Sequence, residues 1–352
     1  LAEPGPATDD PGARVRWWDR APHGWDELLA ADPAGSPAHR PALWAAFAAA
    51  FPGHELRVAT LEEDGELVGG APVLIERRGP FAWLHALPRM LPGTPLARPG
   101  RHAEVDVAIA RALAMLAREL GAVGGTWSLY RPEGPAPDPG AIDAVPGETR
   151  WIEAAIVDLE DGLDAAEARM SRKQRQALRH ARTHGLAFRE DPRGLEAACA
   201  MHLAQGREWG GDRRLPLELS RRLLAGHGEE PVARLFTLAD ARGPVSAALA
   251  LDGPHETFVW WSGTHADGRR RGAFGLLLWR IAEWAHARGR RRLDLGASTG
   301  LEAVAFFKHG MGASTVRYPL RWLDASRAAP AGRAVAALQA FVRRGRARGE
   351  AS

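Results

Sequence analysis

From residue 232 to 322 apolar positions come in short runs broken by Gly, Pro and Asp. "VARLFTL", "VSAALAL" and "TFVWWSG" are β-branched, aliphatic or aromatic segments of strand length, and their spacing predicts antiparallel strands. The period then changes. Phe274, Leu277, Leu278, Ile281 and Trp284 recur at helical spacing and stop at Gly289, which predicts an amphipathic helix. "RRLDLG" returns to strand, "TGLEAVAFFKHGMG" reads as a short helix ending at Gly310, and "TVRYPLRWL" as a last strand. The expected architecture is mixed α/β.

An earlier part of the chain repeats this grammar. Arg57-Val58-Ala59-Thr60-Leu61 aligns with Arg234-Leu235-Phe236-Thr237-Leu238, and Gly65 falls against Gly243 with one residue inserted. "LAMLARELGAVGGTWSLY" then matches "LWRIAEWAHARGRRRLDLG" as helix, Gly stop and strand. Agreement in order and spacing predicts two copies of one α/β unit, over 14–150 and 187–325. A linking strand and basic helix occupy 151–186. Residues 1–13 read as a disordered leader, and 326–352 as a C-terminal helix, with Val335, Leu338 and Phe341 on one face, and a basic tail.

Composition narrows the class without naming a function. With 45% hydrophobic and 25% charged residues over 352 positions, the chain suits two globular domains. A lone Cys199 gives no disulfide framework, so a reducing cytoplasm is expected, and no apolar run is long enough to span a bilayer. The formal charge of +3 is compatible with a polyanionic ligand and equally with none. No HExxH, CxxC, GxSxG or Walker A pattern occurs, so no metal is expected.

Three stretches carry candidate chemistry. In "GRRRGAFG" a glycine-containing loop opens a helix: Gly272 and Gly275 expose backbone N–H groups, and Arg269, Arg270 and Arg271 add guanidinium forks suited to phosphate. Trp260 and Trp261 precede it; alternation puts one in the core and leaves the other, with Trp261 the candidate, to wall a ligand groove. In "SRKQRQALRHARTHG" a Ser171 cap and a Gly185 stop bound a helix. Arg172, Arg175, Arg179 and Arg182, with Lys173 beside them, form a stripe that fits a phosphate backbone or a solvated face. In "DLGASTGLEAVAFFKHGMG", Asp294 ends a strand, and Thr299 and Glu302 have capping-box spacing. Lys308 is one of two lysines among 46 Lys and Arg residues. A helix C-terminus welcomes any cation, but a compact ammonium reaches a single carbonyl or oxyanion better than a guanidinium does.

The order of these segments, with Asp294-Leu295-Gly296 and Phe307-Lys308 as the most specific part, resembles the Fem-type branch of the GNAT acyltransferase superfamily. The resemblance covers roughly 50–325. It implies tandem GNAT-like domains, each a mixed, mostly antiparallel sheet flanked by helices, and acyl transfer to an amine of a small-molecule or envelope-precursor acceptor. It places Phe307 and Lys308 at the acyl carbonyl. The base is left open among Glu302, Asp294 and His309, or the amine arrives already deprotonated. The donor stays open. The coenzyme A loop pattern is matched loosely and disfavours acyl-CoA. The absence of a long helical hairpin disfavours aminoacyl-tRNA. A non-catalytic GNAT-like scaffold is the remaining alternative.

Overall fold

The computed structural model describes residues 14–86, 91–133, 136–208, 217–226, 231–298 and 301–324. The leader, the C-terminal helix and Thr299 lie outside them. In chain order the first half contains β1 (Arg14–Trp18), α1 (Trp25–Ala31), α2 (Pro41–Ala50), β2 (His54–Glu63), β3 (Glu66–Arg78) and β4 (Phe81–Ala86). It continues with β5 (Leu96–Ala97), α3 (His102–Glu119), β6 (Gly124–Ser128), α4 (Pro139–Ala144) and β7 (Gly147–Asp158). Helices α5 (Leu163–Arg169) and α6 (Arg172–Arg182) follow. The second half contains β8 (Ala187–Glu190), α7 (Leu195–Glu208), α8 (Leu217–Ala225), β9 (Ala233–Asp240), β10 (Gly243–Asp252) and β11 (Glu256–Thr264). It ends with α9 (Ala266–Arg270), α10 (Ala273–Ala287), β12 (Arg292–Ala297), α11 (Glu302–Gly310) and β13 (Ser314–Leu323).

Apart from α9 and the short β5, the halves have the same order of elements. The repeated hairpins read from sequence are β2–β3 and β9–β10, antiparallel throughout. Asp64 and Gly65 both take positive φ at the first turn, as the tightest hairpins require. Each half contains one parallel pair, β4 with β6 and β11 with β12, bridged by the long helices α3 and α10.

The halves do not form separate sheets. Among the described residues all thirteen strands join in one, in the order β1-β2-β3-β4-β6-β13-β7-β12-β11-β10-β9-β8, with β5 on β3. The last strand of each half crosses over: β13 pairs with β6, β7 pairs with β12, and β7 and β13 pair with each other along their full length. The order is thus a palindrome about the β13–β7 seam. A boundary at 150 falls inside β7, because that strand starts at Gly147 and belongs by hydrogen bonding to the second half.

Helices cover both faces. Helix α10 packs on alternate residues of β9 to β12, including Leu238, Ala248, Val259 and Leu293. The opposite face is closed by α1, α2, α7 and α8 through Trp25, Trp44, Phe47, Leu195 and Leu219, in a core shared by both halves. Trp25 and Trp44 meet edge to face at 5.1 Å. No described helix is long and apolar enough to cross a membrane.

Candidate active site

Strands β11 and β12 pair only from Glu256 to Phe258 against Arg292 to Asp294. Beyond that β11 runs on to Thr264 and β12 to Ala297, unpaired with each other. Two irregularities accompany the parting. In β11 one extra residue sits between Val259 and Trp261, which oppose Ala250 and Leu249. In β12 the step from Asp294 to Ala297 is matched by only two steps on β7, and Gly296 takes φ 71°. Both are β-bulges, which re-aim side chains where pairing ends.

The β12 bulge is held from two sides. Asp294 Oδ1 accepts from the Gly296 N–H at 2.6 Å, and Oδ2 accepts from the Tyr130 hydroxyl at 2.8 Å. Lys308 Nζ, from the last turn of α11, donates to the carbonyls of Gly296 at 2.8 Å and Ala297 at 3.0 Å. Asp294 is fully buried, and burial raises its pKa to about 6 against the hydrogen bonds that favour the anion. Burial lowers Lys308 to about 8, partly offset by Asp294; the residue is 9% exposed. Tyr130 stacks edge to face on Tyr318 at 4.9 Å, and burial pushes both phenols upward. Two residues earlier along the paired strands Glu256 is buried on Arg292, and desolvation raises it to about 8. Arg292 also pairs with Glu133 and donates to Pro33 O at 2.9 Å.

The sequence-derived residues divide into those brought together and those drawn elsewhere. Asp294 and Lys308 meet through the bulge, and Phe307 stacks on Phe274 of α10 at 5.3 Å. Asp294 is not presented by a loop: β12 continues past it and it points inward. Glu302 is exposed as the first residue of α11, with Leu301 at the N-cap position. His309 is exposed and its Nδ1 lies 3.2 Å from Ala313 O. Trp261 is 5% exposed and belongs to the core, so it walls no open groove. The bulge is the reason: it turns Trp260 and Trp261 to the same face, where Trp260 packs on Phe47.

The arginine loop is largely self-neutralised. Arg269 pairs with Glu208 at 2.7 Å, and Arg271 with Asp240 and Asp267 at 3.0 and 2.6 Å. Arg270 reaches Asp267 at 3.2 Å but is mostly exposed. Gly272, at φ 66°, opens α10 with its first-turn N–H groups uncapped by a side chain. Gly275 has a packing role: a Cβ there would stand 2.8 Å from Gln174 Nε2 of α6, which lies across α10. On α6, Ser171 caps Gln174 N at 3.2 Å and Gly185 stops the helix at φ 62°, as the sequence predicts. Arg175 donates to the carbonyls of Ala168 and Met170, and Arg182 pairs with Glu167. Arg172, Lys173 and Arg179 are exposed and form no ion pair among the described residues. Tyr130, Tyr318, Glu256, Arg292 and Glu133 escaped the sequence reading; an acid and a tyrosine on strands carry no local motif. Among the described residues no three potential metal ligands cluster.

Comparisons with known proteins give one family match and several structures of similar fold. Residues 167–308 match the family model described as Acetyltransferase (GNAT) domain. No curated protein sequence matches the chain. Among solved structures, FemX superposes with a TM-score of 0.68 at 13% identity, covering 86% of this chain and 96% of FemX. The C-terminal domain of a putative lysylphosphatidylglycerol synthetase from Agrobacterium fabrum gives 0.52 at 14% identity, covering 84% and 91%. A conserved protein of unknown function from Bacteroides thetaiotaomicron gives 0.53 at 12% identity, covering 87% and 98%. Residues 167–308 thus match the acetyltransferase domain of the GNAT superfamily, within a double-unit fold that the chain shares with FemX.

Proposed function

We propose that the protein transfers an acyl group from acyl-CoA to an amine of a small-molecule or envelope-precursor acceptor, with the reaction centred where β11 and β12 part. The observation that carries this reading is Lys308. Two of its three N–H donors are fixed on the Gly296 and Ala297 carbonyls, which aims the ammonium and leaves the third for an acyl oxygen. The acceptor amine attacks the acyl carbonyl carbon, the C–N bond forms, and Lys308 stabilises the negative oxygen of the tetrahedral intermediate. Collapse expels the thiolate of the donor, and the amine proton passes to an exposed base, Glu302 or His309 on α11. Asp294, with both oxygens engaged, is a positioning residue that keeps the bulge in place. The uncapped first turn of α10 and Arg270 support a donor pyrophosphate at this end of the helix. Division into units over 14–150 and 187–325 belongs to the same reading, with the exchanged strands joining them.

A second reading, transfer from aminoacyl-tRNA, is favoured by Arg172, Lys173 and Arg179, whose charges are exposed and unneutralised. Thermal shift with acetyl-CoA and with coenzyme A, followed by turnover of the variant Lys308→Met, separates the readings. Acyl-CoA use predicts a clear upward shift. Loss of the ammonium should cost about 2.7–4 kcal/mol of barrier lowering, roughly 100- to 1000-fold in kcat. Full turnover in Lys308→Met would remove the oxyanion role. No shift, with salt-dependent RNA binding that flattens when the three α6 cations are neutralised, would move the donor to tRNA.

A further inference from the structure

The sequence "RHARTHG" also holds two histidines four residues apart, a feature that the proposed reaction does not use. In the structure His180 is exposed near the end of α6 and His184 follows one turn later. Their Nε2 atoms face each other at 3.2 Å, with the rings at 81° and centroids 4.7 Å apart. We propose that His180 and His184 form a bidentate site for one divalent transition-metal ion, zinc or copper, at the C-terminal end of α6.

The separation is what a metal needs. With zinc–nitrogen bonds of about 2.05 Å, two nitrogens 3.2 Å apart subtend an angle of about 103° at the ion, near the tetrahedral value. The 3.2 Å separation is that of a hydrogen bond between the two ring nitrogens. The ion takes that place, both imidazoles present their Nε2 lone pair, and the ring protons reside on Nδ1. His184 follows the C-cap Thr183, in a closing turn whose amides bond three residues back, and that turn already brings the two rings together, so coordination requires no backbone change. Among the described residues neither ring has another side-chain partner, and neither is part of the core.

The charges around the site allow a cation. At about 100° per residue, Arg175 and Arg182 lie about 140° and 160° away from His180 around the helix. Both are already engaged, Arg175 with carbonyls and Arg182 with Glu167. Arg179 lies about 100° to one side. Lys173 shares the face, about 10 Å along the axis. At that distance its charge does not oppose the ion directly. The ion would also clamp the last turn of a helix whose Ala181 lies against Gly272, at the start of α10; a Cβ on that glycine would be 3.4 Å from Ala181 Cβ.

The test uses tag-free full-length protein titrated with Cu2+ and with Zn2+ by calorimetry, and electron paramagnetic resonance of the copper-loaded chain. The expected result is one high-affinity ion per chain, superhyperfine coupling to two imidazole nitrogens, and loss of both in His180→Gln and in His184→Gln. Both positions are on the surface, so the variants should melt like the parent without metal. Absence of saturable binding, coupling to one nitrogen only, or binding that survives either substitution would overturn the site. The readout is independent of acyl transfer and stands or falls apart from it.

Discussion

Replacing Tyr130 by Phe tests the link between the halves, because the hydroxyl from the first half bonds the buried Asp294 of the second at 2.8 Å. The ring is fully buried and its stacking on Tyr318 is kept by Phe, so the substitution removes one donor and little volume. The tyrosine is a neutral donor over the accessible range, since burial raises its pKa well above 10. The magnitude turns on the state of Asp294. Burial raises its pKa to about 6, so at pH 7.5 it is mainly the anion, and a bond to a charged group is worth about 1.5–3 kcal/mol. At pH 5 the acid is mainly protonated and the bond is a neutral one, worth about 0.5–1.5 kcal/mol. The sign agrees with linkage. A carboxyl with raised folded pKa contributes stability below its unfolded value of 3.8 and loses it as pH rises through 6; removing the hydroxyl steepens that loss. Urea unfolding of parent and variant at both pH values reads the difference. A double-mutant cycle with Asp294→Asn isolates the pair. An equal loss at pH 5 and pH 7.5, or a coupling below about 0.5 kcal/mol, would refute the bond as the joint between the halves.

Other substitutions probe the same region. Gly296→Ala should cost about 1–2 kcal/mol, because φ of 71° is left-handed and the new Cβ would stand 3.3 Å from the Phe258 ring; unchanged urea midpoints would remove the bulge from the account. Arg292→Ala removes the guanidinium that Glu256 and Glu133 both face; Glu256, raised to about 8, is mainly protonated at neutral pH, so a loss of about 1.5–3 kcal/mol is expected at pH 7 and a larger one above pH 8, and equal losses at the two would show that the carboxyl does not depend on Arg292. Lys308 titrates at about 8 in the fold against 10.5 unfolded, so the unfolded chain binds more protons between those values and stability gains from this group as pH rises. That gain should vanish in Lys308→Met, and parallel pH–stability curves for the two proteins would contradict the burial of the ammonium.

Local pattern was enough for much of the framework. The short apolar runs "VARLFTL" and "VSAALAL", helical spacing from Phe274 to Trp284, the Gly289 stop and the Ser171 cap all appear in the structure where the sequence puts them. These follow from side-chain period and backbone freedom, which act over a few residues. The repeated hairpin was legible for the same reason, and with it the doubled order of elements. The rarity of lysine in an arginine-rich chain singled out Lys308, and the structure puts its ammonium on two carbonyls beside Asp294.

Tertiary structure alone decided which strands are neighbours. Alternation says which side chains share a face, but a strand edge offers the same row of N–H and C=O groups to any partner, so nothing local announces that β7 and β13 exchange halves. That exchange closes the sheet, and Tyr130 and Asp294, 164 residues apart, then meet across the join between the halves. The bulge in β11 likewise overrode strict alternation and buried Trp261, and acids from β9, α7 and α9 neutralised arginines that in sequence looked free for phosphate. Period is a property of the chain; pairing, burial and charge balance belong to the assembled sheet, where desolvation decides which polar groups must find each other.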